Sequence, residues 1–332
     1  MTTRRTTRSL TRKTLGPGTS ASAPEIPDLR RAPAVNAPPL QSSIPRLSHP
    51  STLSTKSTGL SKHDLTLLLK KQRLLKNSTP QAILTLEPNL KHTLLSTLVF
   101  AQSEAGTAFC ISPTGLLLTC SHCVSEDPSE LEQNSTKWLI FASGRVVQAK
   151  CIAYDHTRDL ALLQIIAAEQ DPTSTLATTN PANNGEYTSF PFLEISPTSP
   201  KKNAQMICIG HPGDEDLEAP KPGLKTNYDV LHISYGRYRG IAEGADVHDN
   251  SEIGALMHDC WTYWGHSGAP LCMRKDGPVV GMHSSWDDET GMRRGVAWEG
   301  ILGFLEDNGN PHVLQSTGGG VGRSKDTPIL VE

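Results

Sequence analysis

The chain is short of aromatic residues, at 5% of the sequence, and no stretch of it approaches the roughly 20 consecutive apolar residues of a membrane-spanning helix. Its first residues lack the apolar core of a secretory signal. Paired cysteine spacing is missing as well: the cysteines number seven, an odd count, which argues against a disulfide framework and fits a reducing compartment. Together these absences lead us to expect a soluble intracellular protein, cytoplasmic or nuclear, whose cysteines mostly serve as small core residues. A net charge of −3 gives no reason to expect a nucleic-acid partner. Acidic residues are also absent before Glu25, while Arg4, Arg5, Arg8, Arg12 and Lys13 precede it. That start reads as a solvated basic tail; a mitochondrial presequence is the alternative, for which only Leu10 and Leu15 would supply an apolar face.

What the chain does have is glycine and proline, 27 and 24 of them in 332 residues, which suits short strands joined by many turns. Residues 1–60 are rich in Ser, Thr, Pro, Arg and Ala without hydrophobic periodicity, and they are expected to stay disordered. Ser61 and Asp64 form a helix-capping signal, and Leu65, Leu68, Leu69 and Leu75 recur at helical spacing through Asn77. We therefore expect an amphipathic helix over 61–79.

From residue 80 short apolar runs alternate with turn residues. Ala108 to Ile111 and Leu116 to Thr119 read as one hairpin, Trp138 to Ala142 and Val146 to Tyr154 as another, and Leu160 to Ile166 as a buried strand. A polar stretch from Asp171 to Glu186 precedes a second strand-rich half with Met206 to Ile209, Val230 to Tyr235 and Val279 to His283. Trp298, Ile301, Leu302 and Leu305 suggest a closing helix that Gly300 and Gly303 weaken. The domain is expected over 80–306, with a flexible tail over 307–332.

Three segments carry chemistry jointly. Gly106-Thr107-Ala108-Phe109-Cys110-Ile111-Ser112-Pro113-Thr114-Gly115, followed by Leu116 to Val124, delivers His122 at the end of a strand. Asp155 to Ile165 places Asp159 at the mouth of a buried strand. Gly265-His266-Ser267-Gly268-Ala269-Pro270 puts Ser267 in a glycine-rich turn. A serine hydroxyl attacks poorly unless an imidazole takes its proton, and the imidazole needs a carboxylate to hold its tautomer.

In this order the segments resemble the trypsin/chymotrypsin-like serine peptidases, in particular the disulfide-poor branch with HtrA-like and glutamyl endopeptidases. The resemblance covers roughly residues 80–305. It implies an all-β, chymotrypsin-like double β-barrel with Ser267 as nucleophile, His122 as general base and acid, and Asp159 as the orienting carboxylate. It also implies an oxyanion hole from the Gly265 and Ser267 N–H groups, no cofactor, and extended protein or peptide substrates. Asp155 competes with Asp159, which directly begins the buried run and is preferred.

Where zymogens of this family carry an aspartate before the nucleophile, this chain has His266, so activation through that salt bridge is not expected. His266 is read as a structural substitute, with a pH-responsive loop as the alternative. Thr262 and His283 match positions that bind an acidic P1 side chain in glutamyl endopeptidases, implying a Glu, Asp or Gln preference. His283 as a core filler is the other reading, and Trp261 or Trp264 narrowing the pocket is a further one. Ser284 and Ser285 lie where an extended substrate would pair by strand addition.

Other chemistries fit less well. An α/β-hydrolase elbow at Ser267 would need a following helix, which Pro270 resists. A zinc site from Cys120, His122 and Cys123 lacks a second cysteine pair. A catalytically latent peptidase-fold domain that binds peptides or scaffolds a partner is the serious non-enzyme alternative.

Overall fold

The structure, a computed structural model, describes residues 44, 47, 58–102, 106–125, 135–169, 189–216, 219–221 and 223–310. Twelve strands among them close into two antiparallel barrels. The first contains β1 (Thr97–Phe100), β2 (Thr107–Cys110), β3 (Leu116–Thr119), β4 (Thr136–Phe141), β5 (Val146–Asp155) and β6 (Leu160–Ala168). The second contains β7 (Gln205–Gly210), β8 (His232–Ile241), β9 (Leu256–His258), β10 (Pro270–Met273), β11 (Val279–Trp286) and β12 (Arg293–Ala297). Around each barrel the strand order is the same, first-second-third-sixth-fifth-fourth. This is the expected all-β, chymotrypsin-like architecture.

Strand alternation builds three apolar layers from these sequences. Leu98, Phe100, Ala108, Leu117 and Leu139 fill the first barrel, while Met206, Cys208, Leu256 and Leu271 fill the second. The intervening positions Val99, Phe109, Leu118, Ile207, Ile209 and Val279 point the other way and join a third cluster. Strands β1, β2 and β3 are therefore buried at every residue, which is why they read as continuous apolar runs.

The helix α1 (Lys62–Thr85) starts as its sequence demands: Ser61 Oγ accepts from Asp64 N at 3.0 Å and donates to the Asp64 carboxylate at 2.7 Å. It runs past the expected end at Asn77 and through Pro80. Tertiary contacts outweigh the proline there. Leu68 and Leu75 are fully buried. Gln72 Nε2 donates to Gly144 O at 3.0 Å and Glu169 Oε2 at 2.9 Å, and Thr79 Oγ1 donates to Ala142 O. On the second barrel's side, Lys70 meets Asp214 at 2.7 Å, so the helix straps the two barrels. A short 3-10 turn (Pro88–Leu90) and α2 (Lys91–Leu95) follow, and the chain remains helical where strands were expected from residue 80. Pro88 suits a first helical position, and Leu90 and Leu94 are buried one turn apart.

Several positions of the expected N-terminal tail pack on the domain: Leu47 N donates to Ala168 O at 2.9 Å, and the Thr58 carbonyl accepts from Trp138 Nε1 at 3.2 Å. Apart from these, Ile44, Gly59 and Leu60, that tail lies outside the described residues, as do the polar stretch from 171 to 186 and the segment after 310. The closing helix α4 covers Trp298–Asp307 and buries Ile301, Phe304 and Leu305. An added Cβ at Gly300 would stand 2.7 Å from the Val247 carbonyl, so close packing selects glycine against helix propensity. No described helix is long and apolar enough to cross a membrane.

Candidate active site

After β3 the chain turns into α3 (Ser121–Val124), the single helical turn that carries His122. Asp159 sits in the tight connection between β5 and β6 with φ 54°, a left-handed backbone that Asp tolerates better than most residues. It is 1% exposed. His122 Nδ1 lies 2.9 Å from both Asp159 carboxylate oxygens. Ser121 Oγ at 3.0 Å and His122 N at 3.2 Å also donate to Oδ1, so the carboxylate is held on several sides. With Nδ1–H facing a carboxylate, Nε2 is the acceptor whenever the ring is neutral. Burial alone would lower the His122 pKa, but the Asp159 charge and the neighbouring Cys123 outweigh it, and the ring ends well above its ordinary value. Asp155 goes elsewhere, accepting from Arg158 N at 2.9 Å and Arg158 Nη1 at 3.2 Å.

Ser267 lies in the turn before β10. Gly265 has φ +99°, open to glycine and strained for other residues. At Gly268 an added Cβ would fall on the Thr107 carbonyl oxygen and 2.5 Å from Thr119 Oγ1, so glycine lets this turn press against the first barrel. The contact is hydrogen-bonded: Thr107 N donates to Ser267 O at 2.8 Å and Thr107 Oγ1 to Gly265 O at 2.7 Å. Gly213 N donates to Trp264 O at 2.7 Å and Gly268 N to His283 O at 2.8 Å. The turn's carbonyls are thus tied down, and among the described residues the N–H groups of Gly265 and Ser267 donate no backbone hydrogen bond. The Ser267 hydroxyl donates to the Ser284 carbonyl at 3.0 Å. Among the described residues it makes no hydrogen bond to the His122 ring. The structure therefore pairs His122 with Asp159 and brings the Ser267 turn against α3, where Cys123 Sγ donates to Ser267 O at 3.4 Å.

His266 is fully buried. Its Nδ1 lies 3.1 Å from Tyr263 N and 3.0 Å from Tyr263 O, and the ring occupies the open face of Gly210. Burial, then the nearby His232, pushes its pKa down to about 3. The ring stays neutral in the physiological range, which supports the structural reading of His266 over the pH-responsive one.

Thr262, His283 and Ser284 are all buried, and Thr262 Oγ1 has no hydrogen-bond partner among the described residues. His283 Nδ1 stands 3.0 Å from His258 Nε2. Burial, followed by the pressure of neighbouring cationic or ionisable groups including Arg293, lowers the pKa of both rings, His258 to about 3. Sequence reasoning missed His258 and Arg293. They reach His283 through β12, where Arg293 pairs with His258 and Gly295 with His283, a register invisible before the barrel is built. Trp264 meets Trp286 edge to face at 4.6 Å, whereas Trp261 stacks on Tyr263.

The rival chemistries lose their geometry. Ser267 is followed by strand β10, not the helix of a hydrolase elbow. The donor atoms that lie within 4.8 Å of one another belong to Cys120, His122 and Asp159, not to the Cys120, His122 and Cys123 of the zinc reading, and His122 and Asp159 already bond to each other.

Residues 106–282, more than half of the chain, match the model of the trypsin-like peptidase domain. No curated protein matches. Among solved structures, an M. tuberculosis protease in its active form is similar at 19% identity and TM-score 0.46, covering 67% of this chain and 84% of its own. The serine endoprotease of Yersinia pestis is similar at 14% identity and TM-score 0.46, covering 69% of this chain and 66% of its own.

Proposed function

The chain belongs to the trypsin-like peptidase family, and on that premise we propose that it is a serine endopeptidase working through Ser267, His122 and Asp159. The observation that carries the reading is the His122–Asp159 pair, with Nδ1 2.9 Å from the buried carboxylate, set against a serine turn in which the Gly265 and Ser267 N–H groups donate no backbone hydrogen bond among the described residues. The catalytic unit spans 80–306, braced by the part of α1 that precedes it.

In this reading an extended peptide adds along β11. Its P1 N–H takes the Ser284 carbonyl that the Ser267 hydroxyl now occupies, and the released hydroxyl turns to His122 Nε2. His122 accepts the proton as Ser267 Oγ attacks the scissile carbonyl carbon, and Asp159 stabilises the resulting imidazolium. The Gly265 and Ser267 N–H groups receive the oxyanion, each contributing about 3 kcal/mol in the transition state. His122 then returns the proton to the leaving amine, the acyl-enzyme forms, and water activated by the same histidine releases it.

The Thr262 hydroxyl, without a hydrogen-bond partner among the described residues, and the buried His283 ring support a pocket that takes Glu, Asp or Gln at P1. His258 behind His283 and the nearby Arg293 would help the pair accept an acidic group.

One observation favours the second reading, a latent peptidase-fold domain: the Ser267 hydroxyl rests on Ser284 and not on His122. A peptide-library digest with the wild type and Ser267→Ala separates the two. Serine-dependent cleavage after Glu, Asp or Gln is expected. Serine-dependent cleavage after other residues would remove the pocket assignment, and intact peptides with folded wild type would favour latency.

A further inference from the structure

Cys123 is the one cysteine of the seven with a partly exposed side chain; the other six are buried. It follows Cys120 by three residues, with His122 between them, and its N–H donates to the Cys120 carbonyl at 3.2 Å. That bond closes the turn of α3. Residues three apart in a helical turn hold their Cα atoms about 5 Å apart, within the roughly 4.4–6.8 Å that a disulfide spans. The Cys120 thiol donates to the His283 carbonyl at 3.6 Å. On its other side Cys123 packs against the open face of Gly106, where a Cβ would stand 3.2 Å from the sulfur, and it donates to the Ser267 carbonyl at 3.4 Å. The sulfur pair is thus wedged between the turn that carries His122 and the turn that carries Ser267.

We propose that Cys120 and Cys123 form a reversibly oxidised dithiol, with hydroperoxides as the oxidant class, and that its redox state tunes His122. In the first step the Cys123 thiolate attacks a peroxide oxygen: an S–O bond forms, the O–O bond breaks, and the displaced oxygen leaves as hydroxide or alkoxide and takes up a proton. The sulfur is oxidised to a sulfenic acid and the peroxide is reduced. Next the Cys120 sulfur, losing its proton, attacks Cys123 sulfur. The S–S bond forms, the S–OH bond breaks, and water leaves. With hydrogen peroxide the net change is dithiol plus peroxide to disulfide plus two waters.

Reactivity agrees with this placement. The neighbouring Cys120 and, against burial, the charge of His122 bring the Cys123 thiol down to about 6, so it ionises more readily than an ordinary cysteine. Burial pushes Cys110 and Cys260 up to about 12 and Cys151 to about 11. The groups facing His122 are Asp159 from the β5–β6 connection and, from its own segment, Cys120 and Cys123. In the reduced protein the Cys123 thiolate adds to Asp159 in favouring the imidazolium. A disulfide removes that charge, so the oxidised protein releases the His122 proton at lower pH.

The test is peroxide treatment of the full reduced chain, followed by alkylation and peptide mass mapping. A Cys120–Cys123 disulfide that forms before any other cysteine is modified, and that dithiothreitol reverses, is expected. Cys120→Ala should stop at a sulfenic acid on Cys123 that dimedone traps. Oxidation of Cys123 without a bond to Cys120, or oxidation of the other cysteines first, would overturn the proposal. The tuning of His122 rests on the proposed peptidase function: the acid limb of kcat/KM should move to lower pH after oxidation, and an unmoved limb would overturn the coupling. The disulfide is read by mass, so a protein without proteolytic activity would count against the function and not against the bond.

Discussion

Burial acts on the histidines of both barrels in the same direction, yet they end in opposite states. In the second barrel it drives His211 down to about 4 and His258 and His266 to about 3. In the first barrel it also lowers His122, but the Asp159 carboxylate at 2.9 Å, with help from Cys123, reverses the outcome. His122 is raised because a fixed carboxylate faces it. The second-barrel rings, where burial prevails, are held neutral, so one chain holds a raised, carboxylate-paired histidine in one barrel and a neutral histidine cluster in the other.

The largest effect should come from erasing the difference. Asp159→Asn removes the carboxylate and lets His122 take the wrong tautomer, and kcat is expected to fall by about 10⁴, as for chymotrypsin-type triads generally. Steady-state kinetics on the best peptide from the digest would check it, and a loss under tenfold would break the comparison.

Acidification should then separate the barrels. His211, His258 and His266 bind protons more readily unfolded than folded, so their contribution to stability is present above the unfolded value of about 6.5 and is lost as pH falls toward their folded values. Each costs up to about 1.4 kcal/mol per pH unit over that window. His122 has the opposite sign: its folded pKa is raised, so its contribution is full below about 6.5 and lost as pH rises through the folded value. Denaturant unfolding from pH 7 to 4 should show stability falling, and Gln in place of His258 should flatten that slope.

The same raised value predicts that kcat/KM climbs with pH along a limb lying above the ordinary histidine range, because only neutral His122 can accept the serine proton. A limb centred near 6 would show that Asp159 does not hold the ring as its geometry implies. The smallest effect belongs to Asp155→Asn. Its partner is Arg158, so turnover should stay within about twofold. A loss approaching that of Asp159→Asn would reassign the carboxylate.

Much of this site was legible in the sequence because its parts are local. A histidine ending an apolar hairpin, an aspartate opening a buried run and a serine between glycines each carry their own context, and the choice of Asp159 over Asp155 followed from the buried strand that begins at Leu160. What was not legible is set by packing across the fold. The extension of α1 through Pro80 depends on Thr79 reaching Ala142. The place of His258 behind His283 depends on both strands pairing with β12. Gly300 looked like a helix breaker until Val247 was seen to occupy the space of its side chain. The direction of the Ser267 hydroxyl, toward Ser284, is a rotamer choice that no sequence pattern encodes.

The central claim is that Ser267 is a nucleophile activated by His122. The most direct measurement is labelling of the full chain with a fluorophosphonate, with the modified residue located by mass spectrometry. The account predicts a covalent adduct on Ser267 that is lost in Ser267→Ala and strongly slowed in His122→Ala. Folded wild type that stays unlabelled, or an adduct on another residue, would contradict it.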